Sequence, residues 1–190
     1  VLLLSILAVA LGTVGLAGCD EFVPPGKAVT STTESGQVRV GVEKKTFRSA
    51  WDSLKEILVA TAMATTLDDF RSQVQDLRME LDAIDQEKLN AEEKQIWVKF
   101  DQVCWAYEDS VSLWAADLHT SGADREGIPL YEEGEPLVAR ADVIVARYGL
   151  EVTPSATQPG VELVPDTSVG ALWQWATVET EKWLLPVLGR

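Results

Sequence analysis

Residues 91 to 119 contain neither Gly nor Pro, and Trp97, Phe100, Cys104, Tyr107, Val111, Trp114 and Leu118 recur among them at intervals of three and four. That interval is the repeat of an α-helix with one apolar side. Ile96 and Val103 widen the stripe. At about 1.5 Å per residue such a helix is ~43 Å long. A rod of that length with a continuous apolar side serves as the centre of a helical bundle, where other helices lie along it.

The flanking sequence supplies those helices. Phe47, Trp51, Leu54, Leu58, Thr61 and Thr65 mark one over about 46–64. Leu67, Phe70, Val74, Leu77, Leu81 and Ile84 mark a second over about 67–85, with Asp68, Arg71, Asp76, Arg78 and Asp82 on its outer side. Thr66 with Asp69, and Asn90 with Glu93, have the spacing of N-terminal caps, which give unpaired helix N–H groups an acceptor. The short turn at 65–66 makes the first two helices antiparallel neighbours. Pro136 is placed at the first position of a fourth helix running through Leu137, Ala141, Ile144, Val145 and Tyr148, closed by Gly149 and Leu150. Ser168 opens a fifth, which Pro186 and Gly189 end.

The expectation is an all-α fold, an antiparallel bundle of about five helices, with 37–190 as the bundle domain. Residues 120–129 read as a loop. Residues 151–167, with Pro154, Pro159 and Pro165, read as a long irregular crossing held down by Val161 and Leu163. Val38, Val40 and Val42 alternate with Arg39 and Gly41, so 38–42 either pairs with 161–164 as a short two-stranded ribbon or runs as an extended loop.

Ahead of this domain, Val1 to Gly18 carries no charge and no Pro, and ends at Leu16-Ala17-Gly18-Cys19. Small residues before the Cys are what a processing site needs. The quartet resembles the lipobox of bacterial lipoproteins. The resemblance covers residues 1–19 and implies a signal peptide over 1–18, cleavage between Gly18 and Cys19, and a diacylglycerol on the Cys19 thiol. It implies a protein at the cell membrane, lipid-anchored on the extracytoplasmic face, periplasmic or outer. A second acyl chain on the new amine would make the anchor stable without a protein span. Asp20 is similar to an inner-membrane retention signal of some Gram-negative bacteria. Such leaders begin with Met and a basic segment, whereas the first basic residue here is Lys27. Either the start lies upstream of Val1 or Val1 marks an alternative start codon. Residues 19–36, with Pro24-Pro25-Gly26 and a Thr/Ser run, form a flexible tether.

Lys and Arg number 16 against 30 Asp and Glu, a formal net charge of −14. That charge repels nucleic acid and anionic lipid surfaces and favours cations or basic partners. With Cys19 lipidated, Cys104 has no intramolecular partner, and its place on the apolar stripe makes it a small hydrophobe. His119 is the only His. Ser121 and Asp124 follow it in one polar loop, without the elbow or the spacing of a nucleophilic triad. The Glu-x-x-His pairs of di-metal bundles are absent, and Asp124, Glu126, Glu132, Glu133 and Glu135 lack the spacing of a Ca²⁺ loop. No catalytic residue, metal ligand or cofactor is therefore assigned, and the protein is read as a non-enzyme.

Two binding readings remain. Trp175, Val178 and Leu185 form a second apolar side on the last helix, suited to a protein partner. Alternatively, Trp51, Trp97, Tyr107 and Trp114 line an aromatic pocket for a small ligand or cofactor. The leading expectation is a lipid-anchored extracytoplasmic bundle with a binding or assembly role at the membrane surface. A hydrolase using the 119–124 loop ranks below both.

Overall fold

The computed structural model describes residues 41–63, 65–119, 126–132 and 135–189. The signal peptide, Cys19, the tether and residues 38–40 lie outside the described residues. The fold is all-α with two small antiparallel sheets, one of three strands and one of two, among the described residues. A 3₁₀ turn, Lys44–Phe47, leads into α1, Arg48–Ala62. Then come α2, Leu67–Asp82; α3, Ala91–His119; α4, Ala141–Tyr148; and α5, Ser168–Glu179. A π turn, Thr180–Leu184, prolongs α5 into α6, Leu185–Leu188. Among the described residues no helix is long and apolar enough to cross a membrane.

Four of these helices form an up-down-up-down row around α3. α1 packs along α2, which begins five residues after α1 ends. Phe70 meets Trp114 at 5.9 Å, while Trp97 Nε1 donates to the Leu81 carbonyl at 3.3 Å, so α2 and α3 run antiparallel. Trp173 Nε1 donates to Ser110 Oγ at 2.9 Å, and Lys99 lies 4.0 Å from Glu179, so α3 and α5 are antiparallel too. Ala106 and Ala176 are both fully buried, which lets α3 and α5 approach closely. The main core gathers Phe47, Leu54, Ile57, Phe70, Leu77, Phe100 and Leu184. Each such side chain contributes about 1.5–3 kcal/mol by leaving water.

The helix starts obey the sequence. Thr66 Oγ1 accepts from the Asp69 N–H at 3.2 Å. Asn90 and Glu93 accept from each other's backbone N–H, each at 3.0 Å. Glu93 also accepts from the Glu43 N–H at 3.0 Å, and Asn90 Nδ2 donates to the Gly41 carbonyl at 3.0 Å. The cap thus also ties the chain entering α1 to the start of α3. Gly149 ends α4 in the left-handed conformation, at φ 61°, and Leu150 packs beside it.

Three expectations change. Pro136 does not open a helix. It lies in β3, Glu135–Pro136, paired with β2, Tyr131–Glu132, and α4 starts later because Arg140 is left-handed at φ 61°. The ribbon is present with other partners. β5, Glu162–Val164, has β1, Ile128–Pro129, on one edge and β4, Thr153–Pro154, on the other, so neither edge is free for 38–42. Gly127 permits this, since a Cβ there would lie 2.6 Å from the Val164 carbonyl oxygen. Ile128, read as loop, and Leu130 join Val138, Ile144, Val164 and Leu172 in a second core against the end of α3. Finally, Pro186 does not stop the last helix. Proline lacks an N–H and crowds the carbonyl four residues back; the wider π turn before it makes room.

Glu93 is fully buried and holds two backbone N–H groups of different segments. Glu93→Ala is expected to destabilise the fold by about 2 kcal/mol, and Glu93→Gln by less, since the amide keeps one acceptor. Urea unfolding followed by circular dichroism reads both.

Candidate binding groove

α1 turns Leu54 and Ile57 into the core, and its other flank carries Trp51, Lys55, Leu58 and Ala62. These fall at successive intervals of four, three and four, one stripe about 16 Å long. On α5, Gly170, Trp173, Gln174, Thr177 and, past the π turn's start, Glu181 form a matching stripe. Among the described residues α1 packs on α2, α2 on α3 and α3 on α5 most closely, while few backbone positions of α1 and α5 come within 8 Å of one another. α6 meets the 3₁₀ turn before α1. Between the two stripes lies a trough of about 720 Å³, open to solvent on one side. Thr61, Thr180, Leu185 and Gly189 complete its walls.

The trough mixes threonine methyls and hydroxyls with the Trp51 indole, the Gln174 amide, Lys55 and Glu181. Thr61 Oγ1 donates to the Leu58 carbonyl at 3.0 Å, Thr177 to Trp173 at 2.9 Å and Thr180 to Ala176 at 2.8 Å. Each threonine hydrogen is committed to its own helix. The Trp173 N–H is held by Ser110. Lys55 Nζ sits 2.6 Å from Asp52 on the rim, and that hydrogen bond holds the Asp52 carboxyl below its ordinary value. Glu181 is exposed on the opposite wall.

Behind the trough lies an aromatic cluster. Trp173 is 5.1 Å from Phe70 and 5.6 Å from Trp114, and Phe70 is 6.1 Å from Tyr107. Tyr107 is fully buried, and among the described residues its hydroxyl, beside Thr177, has no well-formed hydrogen bond. Burial pushes its pKa up to about 12, with Thr177 pulling it partly back.

The structure separates both sets of predicted binding residues. Trp175 packs edge-on against Tyr148 at 5.6 Å, Val178 is 52% exposed, and Leu185 lines the trough. The π turn carries extra residues per turn and so rotates Leu185 away from the side that Trp175 occupies. Of the aromatic set, Trp51 lines the trough, Tyr107 and Trp114 lie in the cluster behind it, and Trp97 sits apart, bonded to Leu81. Sequence reading missed Trp173, Thr177 and Gly170 as trough residues. The three-and-four spacing from Gly170 through Trp173 to Thr177 was the available signal, masked by the stronger core stripe.

Cys104 is fully buried, and burial pushes its thiol up to about 12, where it is a poor nucleophile. His119 is exposed at the last residue of α3, while Ser121 and Asp124 lie outside the described residues. Among the described residues no group of three or more His, Cys, Asp or Glu could hold a metal ion.

On another side of the bundle a charged latch joins α4 to α3. Asp109, 1% exposed, accepts from Arg140 Nη2 at 2.7 Å, Arg147 Nη1 at 3.1 Å and Tyr148 Oη at 3.0 Å. Arg140 lies 4.0 Å over the Trp105 ring, and Arg78 lies 4.9 Å from the same ring. Arg78 bonds Asp101 and Glu108, each at 2.7 Å. Arg78 is matched by two carboxylates, while Arg140 and Arg147 share Asp109 and keep an exposed edge, so the set fastens α4 to α3.

Burial pushes the Asp109 carboxyl above its ordinary value, against the pull of Tyr148, Arg140 and Arg147. The native protein therefore holds this proton more tightly than the unfolded chain does. Its contribution to stability is fully present below about pH 3.9, the ordinary carboxyl value, and is lost as pH rises through the higher native value. Asp109→Asn removes that slope. Between about pH 3 and pH 6 the urea midpoint of the wild type should fall relative to that of the variant; parallel curves would mean that the arginines cancel burial, and a rise would mean that they outweigh it.

No protein-family model, curated protein or solved structure matches this chain, so the reading of its function stands on the geometry above.

Proposed function

We propose that this protein is a lipid-anchored, extracytoplasmic binding protein that works at the membrane face without chemistry of its own. The anchor is the acylated Cys19 implied by Leu16-Ala17-Gly18-Cys19. The binding element is the α1/α5 trough. The observation that carries this reading is the open seam itself. A bundle that packs α1 on α2, α2 on α3 and α3 on α5 leaves about 720 Å³ between its end helices, within the usual range of ligand sites. Cys104, Tyr107 and Asp109 are at most 1% exposed and do not line it, and the ionisable groups that do, Lys55 and Glu181, are on opposite walls. The guest is a protein partner, held near the bilayer by the lipid on Cys19.

A photo-cross-linking residue at Leu58, in the trough, is compared with one at Val98, which is 46% exposed on α3. Each is made with Cys19 intact and with Cys19→Ala, and mass spectrometry of the purified chains reads the acyl group. The reading requires acyl mass on Cys19, a discrete adduct at 58, none at 98, and loss of the adduct without the lipid. A chain without acyl mass, or equal adducts at both positions, contradicts it.

A further inference from the structure

We propose that the α1/α5 trough is the seat of one amphipathic helix from a basic partner protein. The proposal rests on the binding reading above and names its guest.

Shape gives the first argument. Small-molecule sites enclose about 70–90% of their guest, whereas this trough is open along one side. A helix laid in a groove buries one side and leaves the other wet. The walls are themselves helical stripes with ridges repeating every three and four residues, the pattern into which a third helix interdigitates. Trp51 to Ala62 spans three turns, ~16 Å, enough for three or four anchoring side chains. Small residues line the trough: Ala62, Gly170 and Gly189, with the threonine methyls between them. They let a neighbouring backbone come close.

Charge gives the second argument. The threonine hydroxyls of the walls spend their hydrogens on their own helices. Glu181 stands on the α5 wall, and on the α1 wall Lys55 is drawn to Asp52, which with Glu56 lines the adjoining hollow. A guest with an apolar stripe flanked by Lys or Arg meets Glu181 on one side and, beyond Lys55, Asp52 and Glu56 on the other. A second copy of this chain does not, because each copy carries a net charge of −14. Val59 and Met63, 58% and 67% exposed, extend apolar surface along α1 toward a second hollow that also holds Glu56.

The test uses the full chain in zwitterionic nanodiscs, with empty nanodiscs as the blank. The probe is a fluorescein-labelled amphipathic Leu/Lys peptide of about 18 residues, ~27 Å as a helix. Fluorescence anisotropy compares it with a Leu/Glu peptide of the same pattern and a Leu/Lys peptide of scrambled order. The blocking variant is Gly170→Leu, because a Cβ at Gly170 meets no atom within 4 Å and the new side chain fills the trough without disturbing the core. Leu58→Gln serves as a second variant should the first fold poorly, and thermal unfolding checks both. The expected result is binding of the Leu/Lys helix at least tenfold tighter than either control peptide, weakened at least tenfold by the blocking variant and by added salt. Equal binding of the Leu/Glu or scrambled peptide overturns the proposal, as does binding that the blocked trough leaves unchanged. Self-association lost in Gly170→Leu overturns it in favour of a second copy. A long-chain alkylamine that binds where the peptides do not, and is excluded by Gly170→Leu, overturns the helix while leaving the trough a binding site. No binding by any probe, together with no adduct at position 58, removes both readings.

Discussion

The contact between α3 and α5 governs the rest of this fold. Ala106 and Ala176 let the two helices close, and the Trp173 N–H reaches Ser110 across 63 residues of sequence. Ser110 in turn donates to the Tyr107 carbonyl at 2.7 Å, so the bond is anchored to the α3 backbone. Once α5 is fixed on α3, its remaining flank can only look toward α1. α1 is held by α2 on one side and by the Glu93 cap near its start. Two helices fixed by different neighbours bound a gap that neither can move to fill. The trough follows from how the bundle is closed, and its walls need no special loop or strained segment.

Polar groups are handled differently on the two sides of the bundle. At the latch, charges are paired around one buried carboxylate: Asp109 with Arg140, Arg147 and Tyr148, and beside it Arg78 with Asp101 and Glu108. Breaking one partner of such a set leaves the other uncompensated, so the set is rigid. It holds Arg140 at φ 61°, a conformation a non-glycine residue adopts only when its surroundings insist. At the trough, hydroxyl hydrogens are turned inward to the helices' own carbonyls and carboxylates stand on exposed rims. One region fastens the sheet and α4 to the bundle; the other is left unfilled.

Local physics made much of this readable. The bounds of α3, Ala91–His119, follow from a Gly- and Pro-free stripe, and the caps at Thr66 and Asn90 follow from residue spacing. These depend on neighbours within a turn or two. What escaped the sequence depends on distant partners. Pro136 became a strand residue because Tyr131 lies opposite it, and β5 found Ile128 and Thr153 because Gly127 opened a path for the backbone. The docking side expected at Trp175, Val178 and Leu185 assumed one helical period throughout. The π turn at Thr180–Leu184 breaks that period and sends Leu185 to the trough. Trp51 was placed in a pocket for a sound reason, its size and spacing, but its partner across the gap is Trp173, which no local rule could pair with it.

Direct oxidation of a cysteine pair across the trough, Leu58→Cys with Thr177→Cys, tests the open seam most plainly. A disulfide needs Cα atoms within about 7 Å, and the native thiol at Cys104 is buried out of reach. The account predicts that mild oxidant leaves the folded chain's engineered pair unjoined while a bis-maleimide of about 15 Å bridges it, as mass spectrometry of tryptic peptides would show. Rapid, quantitative disulfide formation between 58 and 177 would mean that α1 and α5 close on each other, and that the trough is not a standing feature of the protein.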